Sequence, residues 1–283
     1  MSKKILVLGG TGMFGQPSAR KLQADRFQVR LLARDVEKTR ELFDETFEVV
    51  PGDVTDLASL EAAMRGCQGV LISVGGAVDQ LSAENVVALA PKLGVEQLVY
   101  LSGSTVKEEN RWYPMTAQKL NAEKAIRESG VPYTILCPTW PMEQLPRFAR
   151  GGQATVIGIL PDPWHWFAAA DLARMISNAF RNEAAQGKRL YVHGPQGFPL
   201  KTALERYCRV FHPEIKEVAV MPIDAAKAMA EASGNVFLKN VAEMMAYFKK
   251  AGEPGDPAEA NRLLGAPITT LDEWMAQLQA QLN

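Results

Sequence analysis

The stretch KILVLGGTGMFGQPSARKL, residues 4–22, constrains this chain more than any other. A short apolar run, Ile5 to Leu8, ends in glycines and gives way to an amphipathic segment. The run is too short for a signal-peptide core and reads as a buried strand. Gly9, Gly12 and Gly15 stand in a GxxGxxG spacing, with Gly10 as a fourth glycine. Glycine permits a tight turn and lets backbone N–H groups approach a pyrophosphate seated at a helix N-terminus. With a strand before it and a helix after it, the loop is expected to bind a dinucleotide rather than merely to turn the chain. The rival phosphate loop, GxxxxGK[ST], fails at one point. Gly10 and Gly15 have its spacing, but Gln16 and Pro17 stand where Lys and Ser or Thr are required. A P-loop nucleotide hydrolase is excluded.

The same alternation continues. QVRLLA (28–33), FEVV (47–50), VLISV (70–74), QLVYL (97–101) and YTILC (133–137) read as strands, with amphipathic segments between them. Asp56 and Asp79 are placed to cap helices, Pro114 suits a first helical position, and Gly130 suits a stop. Strand and helix in repetition predict an α/β fold, a Rossmann-type doubly wound parallel sheet. After Cys137 the pattern fades. PTWPMEQLPRF and GILPDPWHWF read as loops, residues 171–180 as a helix, RLYVH (189–193) as a last strand, and the remainder as helical. Thr270 and Glu273 have capping-box spacing. The expected organisation is a dinucleotide-binding domain over 1–138 with a return at 171–193. A smaller, mainly helical substrate or partner lobe takes 139–170 and 194–283.

Composition narrows the partners. Thirty-one basic against thirty-two acidic residues leave a net charge of -1, with no basic excess to neutralise phosphates, so nucleic acid is not expected as a partner. No apolar run approaches the roughly 20 residues of a membrane span. Cys67, Cys137 and Cys208 lie far apart without a CxxC, and His165, His193 and His212 share no ligand spacing with them. Reduced thiols, a cytoplasmic location and no metal are the expectation.

Enzymes of this architecture that use NAD usually end the second strand with an acid on the ribose hydroxyls. Here Ala33 and Arg34 occupy that place, and Lys38 lies one turn further on. Two cations and no acid favour a 2′-phosphate, hence NADP (NADPH) as the cofactor.

LVLGGTGMFG, LLARDVEK, GDVTDLASLEAAMRGCQGVLISVG, VEQLVYLSGST, NAEKAIRESGVPYTILCPTW and AADLARMI together resemble the atypical short-chain dehydrogenase/reductases, and within them the NmrA-like and isoflavone-reductase-like branch. The resemblance covers roughly residues 4–180 and the remainder only in outline. It implies that Gly9, Thr11, Gly12, Met13, Phe14 and Gly15 line the pyrophosphate loop. It implies further that Arg34 meets the 2′-phosphate, and that Asp53 and Val54 border the adenine. Val74, Gly75 and Gly76 would pass under the ribose and nicotinamide, and Pro138, Thr139 and Trp140 would border the nicotinamide ring.

In catalytic members of that superfamily a Ser, Tyr and Lys act together, with Tyr and Lys at i and i+4 on one helix. By this resemblance Ser104 holds the serine position, with Ser102 nearby, and Lys119 the lysine position. Met115 stands where the tyrosine would be. Tyr113 does not replace it, since six residues put it about 240° around a helix from Lys119, and it precedes Pro114. Three readings of Lys119 remain open: a proton-transfer group, as in isoflavone-reductase-like enzymes; a ribose anchor in a non-catalytic sensor, as in NmrA; or solvated helix surface, with Lys119 and Lys124 paired to Glu123 and Glu128.

Trp140, Trp164 and Trp166 are candidates for an aromatic wall around a flat apolar substrate, and equally for packing. His165 between them is either a general acid or a satisfied loop histidine. Asp171 reads as a helix N-cap. The expected function is an oxidoreductase passing hydride between NADPH and a small apolar carbonyl, enone or quinone. The alternative is a dinucleotide sensor that binds a regulatory protein.

Overall fold

The computed structural model describes residues 2–160 and 163–282; Pro161 and Asp162, in the proline-rich GILPDPWHWF stretch, lie outside the described residues. The chain divides into two units, one of residues 1–138, 169–192 and 256–266, the other of residues 139–168, 193–255 and 267–283. Residues 256–266 therefore belong with the first unit and not with the smaller lobe expected from the sequence.

The first unit is built on β1 (Lys4–Leu8), β2 (Gln28–Ala33), β3 (Glu48–Pro51), β4 (Gly69–Ile72), β5 (Gln97–Leu101) and β6 (Tyr133–Pro138). The second unit supplies β7 (Trp140–Pro141), β8 (Ala149–Arg150), β9 (Gln153–Ile157) and β10 (Trp164–Phe167), and β11 (Lys188–Val192) returns to the first. The seven strands of the first unit pair in the order β11-β6-β5-β4-β1-β2-β3, every pair parallel. Order reverses at β1 and β4, the doubly wound arrangement whose ligands bind outside the carboxyl ends of the strands at that switch. Ile5, Leu6, Val7 and Leu8 are wholly buried, as expected of a central strand covered on both faces.

Its helices are α1 (Gly15–Ala24), α2 (Val36–Leu42), α3 (Leu57–Met64), α4 (Asp79–Leu89), α5 (Pro114–Glu128) and α6 (Ala169–Arg181). Helix α6 packs on α1, and α5 on α4. Asp56 caps α3 through the amides of Ala58 and Ser59, and Pro114 opens α5. Two expected caps are corrected. Asp79 is the first residue of α4, whose N-cap, Val78, makes no side-chain hydrogen bond. Asp171 lies in the first turn of α6 and accepts from Arg174.

The second unit contains α7 (Leu200–Phe211), α8 (Ile223–Ser233) and α9 (Val236–Ala251), while α10 (Ala258–Leu264) belongs to the first and α11 (Leu271–Leu282) again to the second. Thr270 and Glu273 form the expected capping box at α11, with reciprocal bonds of 2.8 and 3.3 Å. Two strands beyond residue 193, β12 (Gln196–Phe198) and β13 (Val218–Met221), correct the all-helical expectation. They complete two small sheets, β12-β10-β7 and β13-β9-β8. The last four residues of the stretch read as an aromatic loop, WHWF, are strand β10. Trp164 and Trp166 point into the core while the intervening His165 is half-buried, the period of two that a strand requires.

Candidate functional site

The glycine loop is held by contacts that only glycine allows. Gly9 has φ +77°, and a Cβ on it would lie 2.3 Å from the carbonyl oxygen of Ser73 at the end of β4. A Cβ on Gly15 would lie 2.0 Å from the oxygen of Gly9, so the start of α1 rests directly on the end of β1. The Gly12 amide closes the turn on Gly9 O at 2.9 Å. Phe14 caps α1 without a side-chain bond, and no acid lies in the first helical turn. The N-terminus of α1 carries positive partial charge and no carboxylate to offset it, which suits an anion. Thr11 and Gly12 are exposed and Met13 and Phe14 half-buried at the same edge.

At the end of β2, Ala33 is buried and Arg34 and Lys38 are exposed. The nearest acid, Asp35, is engaged as the N-cap of α2, where its Oδ1 accepts from the Lys38 amide at 3.0 Å. Asp53, after β3, accepts from the Thr55 amide and hydroxyl at 2.8 and 2.7 Å. Those two bonds, with the Arg34 guanidinium beside it, hold its carboxyl below the usual range. The Val54 carbonyl is held by Asn85 at 2.9 Å. Beyond β4, Val74 is half-buried, and Gly75 and Gly76 are exposed with open space around both Cα atoms. Pro138 ends β6, and its carbonyl takes the Ser104 amide at 3.0 Å. Thr139 opens the second unit, where its hydroxyl donates to the His165 carbonyl at 2.5 Å.

Lys119 is not helix surface. Its side chain is 13 % exposed, and Nζ donates to Asp79 Oδ2 at 2.7 Å and to the Leu101 carbonyl at 2.9 Å. The other Asp79 oxygen accepts the Tyr100 hydroxyl at 2.5 Å. Burial, reinforced by the Asp79 carboxylate, drives the Tyr100 phenol far above its ordinary pKa, so it serves as a fixed donor. The solvated pairing expected for Lys119 and Glu123 is corrected: Glu123 bonds to Ser102, Arg127 and Arg189 instead. Only Lys124 and Glu128 form the exposed pair, at 3.9 Å. Ser104 is buried but is not a partner of Lys119. Met115, one turn before Lys119, is 36 % exposed, and Tyr113 precedes α5 as its N-cap.

The sequence reading missed Asp79 as an inward-facing acid and missed Tyr100 altogether. No local pattern pairs Asp79 with Lys119: Asp79 opens α4, Lys119 lies in the second turn of α5, and only the packing of the two helices brings them together.

The three tryptophans do not form an exposed wall. Trp140, Trp164 and Trp166 are 7, 1 and 0 % exposed and lie in the core of the second unit, with Leu204, Tyr207 and Trp274. Their rings meet one another at 5.5 and 5.8 Å, and Phe248 closes the group. His165 is not in a loop: on β10, its Nδ1 lies 2.5 Å from Glu253 Oε2.

A family model described as NAD(P)H-binding matches residues 9–182, more than half of the chain. The chain belongs to the NAD(P)H-binding family. Among curated relatives, it is 29 % identical to a (4-alkanoyl-5-oxo-2,5-dihydrofuran-3-yl)methyl phosphate reductase of Streptomyces griseus, over 96 % of this chain and 97 % of that protein. It is 26 % identical to an NAD(P)H azoreductase of Xenophilus azovorans, over 80 % of this chain and 85 % of that protein. Among solved structures, an NADPH-dependent quinone oxidoreductase of Escherichia coli complexed with NADPH superposes with a TM-score of 0.79 at 22 % identity. That match covers 97 % of this chain and 99 % of the other, and it establishes a shared fold. The glycine turn, the acid-free N-terminus of α1 and the open exit of β4 fit the dinucleotide that the NAD(P)H-binding family takes.

Proposed function

We propose that this member of the NAD(P)H-binding family is an NADPH-dependent reductase of small, apolar, conjugated acceptors such as quinones and enones. The observation that carries the reading is the state of Lys119. An ammonium has three N–H donors, and two of them are fixed by Asp79 and the Leu101 carbonyl. The third has no hydrogen-bond partner among the described residues, on a side chain that is 13 % exposed and whose ammonium lies 5.2 Å from the Tyr100 ring centroid, and is left for a ligand oxygen.

Gly9 to Gly15 and the head of α1 would hold the pyrophosphate, with Asp53, Val54, Val74, Gly75, Gly76, Pro138 and Thr139 along the rest of the dinucleotide. Arg34 and Lys38 support NADP over NAD: both are exposed, and Asp35, the acid that would repel a 2′-phosphate, is committed to capping α2. The reduced nicotinamide supplies a hydride. Lys119 binds a ribose or substrate oxygen and offsets the negative charge that hydride addition leaves there. Ser104, in the loop after β5, is a second candidate donor to that oxygen.

Met115 supplies no proton, which favours acceptors whose reduced form is a stabilised anion able to take its proton from water. A quinone meets that condition, since hydride addition gives a phenolate-like oxygen with an ordinary pKa of about 10. The names of the reductase relatives support the same class. The three buried thiols suit a reducing compartment, and we place the protein in the cytoplasm. Among the described residues no helix is long and apolar enough to cross a membrane.

The second reading, a dinucleotide sensor that docks a regulatory protein, draws on the same Met115. One experiment separates the two: NADPH oxidation is followed with quinones, enones and aldehydes for wild type and Lys119→Ala, alongside NADPH affinity. Reductase function predicts turnover in wild type and a loss of about 10²- to 10³-fold in the variant, the usual worth of one donor to a developing oxyanion. Tight NADPH binding without turnover on any acceptor would overturn it in favour of the sensor.

A further inference from the structure

Within the second unit, three side chains that the reductase reading does not use converge on one point. His165, His193 and Glu253 each offer one ligand atom, a ring nitrogen or a carboxylate oxygen, and these atoms all lie within 4.8 Å of one another. They come from separate parts of the chain: strand β10, the residue after β11, and the turn that follows Gly252 at the end of α9. We propose that these residues form a site for a borderline divalent cation of the zinc class, with two imidazoles and one carboxylate as ligands.

Each ligand is held from behind. Glu253 is fixed by its other oxygen, Oε1, which accepts the His165 amide at 2.6 Å. Oε2 is thereby turned toward both rings, 2.5 Å from His165 Nδ1 and 3.9 Å from His193 Nδ1. His193 Nε2 lies 3.3 Å from the Pro254 carbonyl. A carbonyl only accepts, so Nε2 carries the hydrogen and Nδ1 presents its lone pair on the Glu253 side. A backbone carbonyl on the far ring nitrogen is the arrangement that orients metal-binding histidines. His165 cannot drift, because Trp164 and Trp166 on either side are buried and its carbonyl accepts from Thr139 and from the Gly194 amide. Gly194 is itself a required glycine, since a Cβ there would lie 1.6 Å from the Trp166 oxygen.

The distances suit an ion of this size. Bonds of about 2.0–2.1 Å in a tetrahedral site separate ligand atoms by about 3.3–3.5 Å. The observed spacings of 2.5 and 3.9 Å straddle that range. Entry of the ion replaces the short His165–Glu253 hydrogen bond and moves the two atoms apart by less than about 1 Å. The ligand set selects the metal: imidazole favours zinc, nickel and copper, whereas calcium and magnesium take oxygen ligands. Three protein ligands leave a fourth position. His193 and Glu253 are almost fully buried, while the His165 side chain is 43 % exposed, so that position opens on the His165 side, where water or a small donor ligand binds.

None of the three ligands has a part in the reductase reading, and the site stands or falls without it. The test uses untagged full-length protein, freed of metal by dialysis against a chelator, and Zn²⁺ binding by calorimetry. Co²⁺ serves as the spectroscopic probe, since tetrahedral Co²⁺ absorbs strongly in the visible and the hydrated ion does not. We expect one equivalent of Zn²⁺ and a tetrahedral Co²⁺ spectrum. His193→Ala and Glu253→Gln lose a ligand, which costs at least the 10- to 100-fold in affinity that loss of an outer-shell partner does. His165→Asn, at the most exposed ligand, provides the variant least prone to unfold, and retained NADPH binding and circular dichroism show that the chain is folded. Zinc affinity unchanged in all three variants, or a Co²⁺ spectrum of the hydrated ion in wild type, would overturn the proposal.

Discussion

Lys119 and Glu123 stand four residues apart on α5, one above the other on the same face, and the structure treats them in opposite ways. Glu123 is 1 % exposed and saturated: Ser102 donates at 2.5 Å, Arg127 at 2.6 Å and Arg189 at 3.0 Å, and Arg189 also donates to the Val106 carbonyl at 2.6 Å. The cluster ties β5, α5 and β11 together and has no capacity left for a ligand. Lys119 has fewer partners, a more exposed side chain and a carboxylate that is itself steadied by Tyr100. A buried charge whose every bond is satisfied inside the fold acts as a strut. One with a donor left over on a partly exposed side chain is set up to meet something else.

The comparison breaks most sharply at Glu123. Removing its carboxylate in Glu123→Ala leaves Arg189 and Ser102 without their shared acceptor. Stripping one partner from a buried ionic group costs about 3–5 kcal/mol. Urea denaturation should show that loss as a lower midpoint, while NADPH affinity and turnover per folded molecule stay near wild type. If turnover collapsed and the midpoint held, the division between strut and working group would be wrong.

Tyr100→Phe sharpens the other half. It deletes the hydroxyl that donates to Asp79 Oδ1 and nothing else. A hydrogen bond to a charged group contributes about 1.5–3 kcal/mol, so a smaller stability loss than that of Glu123→Ala is expected. Here turnover should also fall, though less than in Lys119→Ala, because Asp79 loses one of the two groups that fix it. A Tyr100→Phe protein with unchanged stability and unchanged turnover would show that Lys119 alone holds Asp79 in place.

What could be read from the sequence follows how far apart the interacting residues lie. Gly9 and Gly15 are dictated by backbone packing within one strand–turn–helix unit, and the spacing alone displays it. The i, i+4 relation of Met115 and Lys119 is equally local. Asp79 was misread because a local rule, the acid that caps a helix, fits its position, whereas its true partner is 40 residues away. Strand β10 was hidden by the prolines before it, although WHWF already carries the alternation. Strand β13 is four residues, VAVM, too short for periodicity to separate strand from helix. The His165–His193–Glu253 group had no signature, since its members lie 28 and 60 residues apart and meet only in the folded second unit.

Cys137 offers a smaller effect that reports on both ends of the face at once. It is wholly buried on β6, and burial pushes its thiol from 9.0 up to about 12. Arg189 and Lys119 pull the other way, and Glu123 adds to the rise. The folded value lies above that of the free thiol, so the folded chain keeps a proton that the unfolded chain gives up. The stabilisation is complete below pH 9.0 and is lost progressively as pH climbs toward about 12. One such group lowers stability by about 1.4 kcal/mol per pH unit across that window. Denaturation series from pH 8 to pH 11 are expected to steepen above pH 9 in wild type and to lose that component in Cys137→Ala, whose overall stability is lower but flatter with pH. In Glu123→Ala the thiol keeps Arg189 and Lys119 without the opposing carboxylate, so its folded value falls and the window narrows from its upper end, while the onset, set by the unfolded thiol, stays near pH 9.0. An alkaline slope identical in wild type and Cys137→Ala would assign it to other groups and remove Cys137 as a reporter of the two charges on α5.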